Sequence, residues 1–149
     1  MQTTGARAET LRLSDFEGDW SIRRRIDDRM AGQIGHLEGT TRFVTTKSGL
    51  DYFEVGTLRL PGQSPMQAER RYSWREAEDR FEVFFDDGRP FHAFDPARLR
   101  PSAEHWCDPD SYAVRYDFSA WPIWTTEWHV TGPRKDYVMH TDYTRDIHP

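Results

Sequence analysis

The sequence is short of cysteine, with Cys107 alone among 149 residues. One thiol cannot form an intrachain disulfide or a cysteine-rich zinc site. No apolar stretch approaches the roughly 20 residues that a membrane-spanning helix requires, and residues 1–13 lack the apolar core of a secretory signal. These absences predict a cytoplasmic protein that does not interact with membranes.

An excess of basic residues is also missing, because 20 lysines and arginines stand against 25 aspartates and glutamates, for a formal net charge of -5. Acidic and basic residues are interspersed, so no basic stripe is available to contact phosphates. The three arginines at 23–25 lie in an alternating pattern that sends neighbours to opposite faces of a strand. The sequence therefore predicts no nucleic-acid partner.

Aliphatic residues are few and rings are many, since hydrophobic residues make up 36% of the chain and aromatic residues 14%. Disordered segments are poor in rings, so this composition predicts a folded core built from large flat side chains. The length favours one domain. We place that domain at 11–149, after a small, polar segment at 1–10 that we expect to be flexible.

Long helical periodicity is absent, and after Gly18 the apolar residues recur at every second position. Turn signals at 28–33, 47–49, 86–90 and 132–135 separate short alternating stretches. This spacing predicts an all-β antiparallel barrel or sandwich of about ten strands. The stretches that carry the pattern are 20–27, 36–44, 50–60, 66–74, 80–85, 91–94, 111–118, 123–130 and 136–145. The segment 95–111 is irregular, and we expect a loop there over one rim.

Gly18-Asp19-Trp20 opens the first predicted strand and follows a short predicted helical turn. In this position the three residues resemble the G-x-W signature of the lipocalins and their calycin relatives. The resemblance implies an up-and-down barrel whose closed end is plugged by Trp20. It also implies that an arginine late in the chain packs across the indole ring, and Arg145 is the matching candidate.

A broader resemblance covers nearly the whole chain. Its segments are FEGDW, YFEVG, ERRYSW, FFDDGRPFH, HWCDPDSYAV and WHVTGPRKDYVMHTDYTR. They are similar to a family of small, single-domain bacterial proteins of unknown function. The resemblance implies a lipocalin-like barrel, and it brings no activity and no site residues.

Alternation along the strands of such a barrel points the face of Trp20 inward, and that face also carries Arg24. The same alternation places Glu54 and Arg70 among inward rings. Buried charges need a partner, water or a ligand. In one interpretation Glu54 neutralises one arginine from a neighbouring strand, which leaves one positive charge over. In the other, a small aromatic or anionic molecule binds inside. The residues predicted to contact it are Arg24, Glu54, Arg70, Tyr72, Trp74, Tyr112, Tyr116, Trp128 and Tyr143.

Three alternatives remain open. A cofactor-free lyase or isomerase acting on a small aromatic acid would use Tyr52, Tyr72 and a proton from Glu54, whose pKa burial would raise. A purely structural module would need only that the interior charges pair. A haem-binding barrel would use one histidine from among His92, His105, His129 and His140. The preferred interpretation requires no cofactor, and the oligomeric state stays open.

His92 and His105 are candidates for the rim, where Cys107, Asp108 and Asp110 would lie nearby. A metal site needs three or four converging ligands, and His-x-Cys is not a zinc spacing. We therefore expect structural histidines and no metal. The basic turn at 132–137 we interpret as a hairpin with solvated charges.

Overall fold

The computed structural model describes residues 10–145 of the chain. Positions 1–9, for which flexibility is predicted, and positions 146–149 lie outside the described residues. A 3-10 turn, Leu13–Phe16, precedes ten strands. No helix within residues 10–145 has the length and apolar character needed to cross a bilayer. The strands are β1 (Gly18–Asp28), β2 (Gln33–Thr45), β3 (Leu50–Arg59), β4 (Met66–Ala77), β5 (Arg80–Phe85), β6 (Pro90–Phe94), β7 (Ser102–Cys107), β8 (Asp110–Asp117), β9 (Trp124–Gly132) and β10 (Lys135–Thr144).

The ten strands form one antiparallel sheet in the order β6-β5-β4-β3-β2-β1-β10-β9-β8-β7. Strands that follow one another along the chain are paired, except β6 and β7, and β1 also pairs with β10. The sheet thus curls into a nearly closed barrel whose two outermost strands, β6 and β7, approach each other without entering one ladder. We call this line of approach the seam. The predicted all-β, up-and-down, lipocalin-like barrel with a short N-terminal helical turn is confirmed.

The 3-10 turn closes one end of the barrel by inserting a ring. Phe16 is fully buried, with its ring centroid 4.9 Å from Trp121 and 5.3 Å from Trp74. The indole Nε1 of Trp20 donates to the Phe16 carbonyl at 2.8 Å. The guanidinium of Arg145 lies 3.9 Å from the Trp20 ring centroid. The positions implied for Trp20 and Arg145 are therefore confirmed.

Alternation along β1 follows the sequence pattern, because Trp20 and Arg24 are buried whereas Arg23 and Arg25 are exposed. Beside β1, strands β2 and β3 approach closely where Gly39 of β2 pairs with Gly56 of β3. A Cβ on Gly39 would lie 2.0 Å from the Val55 carbonyl oxygen. Only glycine fits at that point.

The expectation of a loop throughout 95–111 is wrong. Residues Ser102–Cys107 form β7, which pairs with β8 in a register from Ser102↔Arg115 to Cys107↔Asp110. The strand was missed because it is short, polar and bracketed by Pro101 and Pro109, which read as breakers. It is also the last strand before the seam, so few of its side chains are buried.

Candidate functional site

A buried ion pair lies in the middle of the barrel. Arg24 Nη1 donates to Glu54 Oε2 at 2.7 Å, and Nη2 donates to Oε1 at 2.8 Å. Arg24 is 6% exposed and Glu54 is 2% exposed, so this two-point contact is shielded from water. The prediction that Glu54 neutralises one arginine is confirmed, but the expectation that this arginine lies on a neighbouring strand is wrong. The partner, Arg24, lies on β1, two strands from Glu54 on β3. The line that joins the two side chains crosses β2 at Gly39, where no side chain separates them.

Hydroxyl groups complete the polar layer around this pair. Arg24 Nε donates to Thr141 Oγ1 at 2.7 Å, and the Tyr52 hydroxyl donates to Glu54 Oε1 at 2.6 Å. Because the single proton of Tyr52 goes to the carboxylate, the Tyr143 hydroxyl donates to the Tyr52 oxygen, at 2.9 Å. We call Arg24, Glu54, Tyr52, Tyr143 and Thr141 the polar layer.

The polar layer holds its carboxylate ionised. Burial acts to raise the pKa of Glu54, but the hydrogen bonds from Arg24 and Tyr52 outweigh it, so that pKa lies below its ordinary value. Burial raises the pKa of Tyr143 to about 12 and the pKa of Tyr52 well above its ordinary value. The lyase alternative requires a raised pKa for Glu54, and that prediction is therefore wrong. The sequence analysis did not anticipate that two hydrogen-bond donors would contact this carboxylate.

Arg70 is the positive charge left over. Its Nε lies 3.8 Å from Glu54 Oε2, beyond hydrogen-bond distance, and 41% of its side chain is exposed. Its Nη2 points at Met139 Sδ at 3.9 Å, and sulfur is a weak acceptor. Burial acts to lower the pKa of Arg70, but Tyr72 and Glu54 keep that pKa above its ordinary value. Arg70 thus remains a cation at the open end of the barrel, which we call the mouth.

A cavity of about 40 Å³ lies between the polar layer and the mouth. That volume holds water molecules and no ring. Of the residues predicted to contact a ligand, eight line it, and Tyr112 lies outside it on the rim. The eight are Arg24, Glu54, Arg70, Tyr72, Trp74, Tyr116, Trp128 and Tyr143. Tyr52, proposed for the lyase alternative, lines it too.

His92 lies deeper than the predicted rim position. A register shift between Val83 and Phe84 puts His92 opposite the inward Val83, so the histidine also lines the cavity. Its Nε2 lies 2.7 Å from the Tyr116 hydroxyl. Its buried Nδ1 has no hydrogen-bond partner. Burial, with a smaller effect from His105, lowers the pKa of His92 to about 3, so the ring is neutral.

The other three histidines proposed for haem, His105, His129 and His140, do not converge on the interior. His105 stays at the rim, where its ring centroid lies 5.3 Å from that of Phe91. His129 and His140 are bonded to Asp136 and Asp142 on the outer side of their strands. Among residues 10–145, no three His, Cys, Asp or Glu side chains converge as metal ligands. Haem does not fit these residues, because His92 has the Tyr116 hydroxyl at Nε2 and the cavity beside it holds only water.

Some residues at the cavity and the polar layer were not among the predicted ligand contacts. Phe91 and Met139 line the cavity, and Thr41 and Thr141 are fully buried near the polar layer. The alternation that points Tyr143 inward also places Met139 and Thr141 on the inner face of β10. No comparable signal marks Phe91, because the register shift before β6 interrupts the alternation.

Comparison with known proteins places the chain in a family. The model of a family of unknown function (DUF6314) matches residues 16–145. The chain belongs to this DUF6314 family. The expected resemblance to a family of unknown function with a lipocalin-like barrel is thereby confirmed. No curated protein matches the sequence.

Among solved structures, this DUF6314 protein is similar to the S-type phycobiliprotein lyase CPES from Guillardia theta. The TM-score is 0.65, the sequence identity is 8%, and the match covers 92% of each chain. Similarity at this low identity shows a shared fold. It does not transfer an activity or a ligand.

Proposed function

We propose that this protein binds a small aromatic anion at the mouth of the barrel, with Arg70 as the group that recognises the negative charge. The observation that carries the proposal is the charge imbalance inside the barrel. Arg24 and Arg70 face one carboxylate, and Arg24 already contacts both of its oxygens. Among residues 10–145 the interior therefore has one cation in excess, and that cation lies at the open end.

The surroundings of Arg70 favour an organic anion over a simple ion. An arginine fork matches a carboxylate, and rings at the mouth supply flat apolar surface. Such rings include those of Tyr72 and Trp128, both of which line the cavity with Arg70. A ligand with a ring and a carboxylate would satisfy both features.

The small cavity limits where such a ligand can bind. Ligand pockets usually enclose about 300–1,000 Å³, whereas this cavity measures about 40 Å³. A void of this size favours the purely structural interpretation for the deep half of the barrel. It confines the proposed site to the mouth, where Arg70 is partly exposed and side chains have room to move.

Catalysis is less well supported than binding. The lyase alternative needs a protonated Glu54, and the hydrogen bonds of the polar layer keep that carboxyl ionised. The fold shared with a phycobiliprotein lyase supports a use of such a barrel beyond a structural one. We therefore propose a binding protein.

Calorimetric titration with 4-hydroxycinnamate tests the proposal. Because hydrogen bonds to charged groups are worth about 1.5–3 kcal/mol, Arg70→Ala should weaken binding by about tenfold or more. Arg71→Ala is the matched control, because Arg71 is exposed on the outer face, with its guanidinium 5.1 Å from the Phe53 ring centroid. Absence of binding to the unmodified protein, or equal losses in the two variants, would contradict the proposal.

A further inference from the structure

We infer that the ring of the ligand takes the place that Phe91 fills in this structure, so that the site accepts a single planar aromatic ring. The inference rests on the proposed function and names the chemical class of its ligand: a one-ring aromatic carboxylate such as benzoate. Phe91 acts as a built-in occupant that the ligand displaces. The residue therefore determines affinity and specificity, without contacting the anionic group.

The geometry around Phe91 is that of a sandwiched planar ligand. Its ring centroid lies 4.3 Å from that of Phe85 with the planes 22° apart, and 5.0 Å from that of Trp128 with the planes 13° apart. Within residues 10–145, Phe85 and Trp128 each stack on Phe91 but not on each other, so they lie on its two faces. We call the space between Phe85 and Trp128 the slot. Its two walls admit one flat ring.

The slot opens toward Arg70. Tyr72 stacks on Phe91 at a centroid distance of 5.7 Å and lies two residues from Arg70 on the same face of β4. Phe91 and Arg70 both line the small cavity. A ring in the slot can therefore direct a carboxylate across the cavity toward the guanidinium.

The backbone that carries Phe91 belongs to an edge strand of the barrel wall. Strand β6 has five residues, and it pairs with β5 alone because its other edge faces the seam. The register shift between Val83 and Phe84 interrupts that pairing next to Phe91. Few backbone hydrogen bonds must break for Phe91 to leave the slot.

Truncation of Phe91 tests the inference, because it should strengthen binding where truncation usually weakens it. An occupant that competes with the ligand lowers the apparent affinity, so Phe91→Ala should bind benzoate at least about tenfold more tightly than the unmodified protein. Cyclohexanecarboxylate has the same charge but a puckered ring, so Phe91→Ala should increase its affinity much less. Calorimetric titration measures both, and Arg70→Ala added to Phe91→Ala should abolish the gain for benzoate.

Phe94→Ala is the matched control, because Phe94 lies on the same strand and is also buried but stacks on Tyr116 at 4.2 Å, away from the mouth. Phe94→Ala should not increase the affinity for benzoate. Phe91→Leu, which keeps more volume, is a second variant and should preserve the preference for benzoate with a smaller gain. The inference would be overturned if Phe94→Ala increased the affinity for benzoate as much as Phe91→Ala does. It would also be overturned if Phe91→Ala increased the affinities for benzoate and cyclohexanecarboxylate equally.

The two proposals fail in different ways. If Arg70→Ala weakens 4-hydroxycinnamate binding but both Phe91 variants bind benzoate as weakly as the unmodified protein, the slot is wrong and the proposed function stands. If benzoate binds the Phe91 variants with the same affinity whether or not Arg70 is present, the proposed function fails.

Discussion

The polar layer and the mouth each contain one inward arginine, and the two arginines differ in how fully their donors are used. Arg24 makes three hydrogen bonds of 2.7–2.8 Å to Glu54 and Thr141. Arg70 has a 3.8 Å ion pair, a sulfur contact and an electrostatic interaction with Tyr72. A buried charge whose three nitrogen atoms all donate to fixed acceptors supports the fold, whereas a partly exposed charge with weaker contacts is available to a ligand. The difference teaches that the depth of an arginine in the barrel decides whether its guanidinium stabilises the fold or is available to recognise a ligand.

The largest effect expected from this comparison is the loss of the Glu54 carboxylate. Glu54→Gln leaves Arg24 buried without a counter-charge, and breaking one partner of a buried pair costs about 3–5 kcal/mol. Urea unfolding at neutral pH measures the change in the free energy of unfolding. The control is Glu127→Gln, which removes the partner of Arg115 from an exposed pair with side chains 63% and 43% exposed. That substitution should cost about 1 kcal/mol or less, and equal costs would break the comparison.

A smaller effect should appear in the dependence of stability on pH. An unfolded histidine has a pKa of about 6.5, whereas in the folded protein the pKa of His92 is about 3. Between these values the unfolded chain binds more protons, so the stabilisation is complete above pH 6.5 and is lost as the pH falls toward 3. From pH 7.5 to pH 5 the protein should lose about 2 kcal/mol more than His92→Gln.

Urea titrations of both proteins at the two pH values check this expectation. His140→Gln is the control, because His140 is exposed and bonded to Asp142 on the outer face. It should follow the unmodified protein. If His92→Gln shows the same pH dependence as the unmodified protein, His92 is not held neutral and the description of the mouth needs revision.

Much of this arrangement follows from alternation in the sequence. The period of two after Gly18 correctly predicted an all-β antiparallel fold, and the lipocalin resemblance correctly implied a barrel. Within that barrel, alternation put Arg24, Glu54 and Trp20 inside while Arg23 and Arg25 faced out. These predictions succeeded because a regular strand between two turns has only two faces. Which of the interior residues bind a ligand stays a prediction.

The remainder depends on contacts between distant strands. The strand β7 has no alternating apolar pattern, and a register shift that the sequence does not mark moved His92 inward. The direction of the pKa shift of Glu54 depended on Arg24 reaching across Gly39. The filling of the slot by Phe91 depends on how rings from three strands stack. None of these features is local in the sequence.

Hydrogen exchange at the arginine Nε–H groups, followed by nitrogen-15 NMR, tests the difference between the two arginines most directly. In the free protein the Arg24 signal should exchange slowly and the Arg70 signal, assigned by its loss in Arg70→Ala, should exchange rapidly. Addition of 4-hydroxycinnamate should slow exchange at Arg70 and leave Arg24 unchanged. Rapid exchange at Arg24, or a ligand response confined to Arg24, would contradict the account.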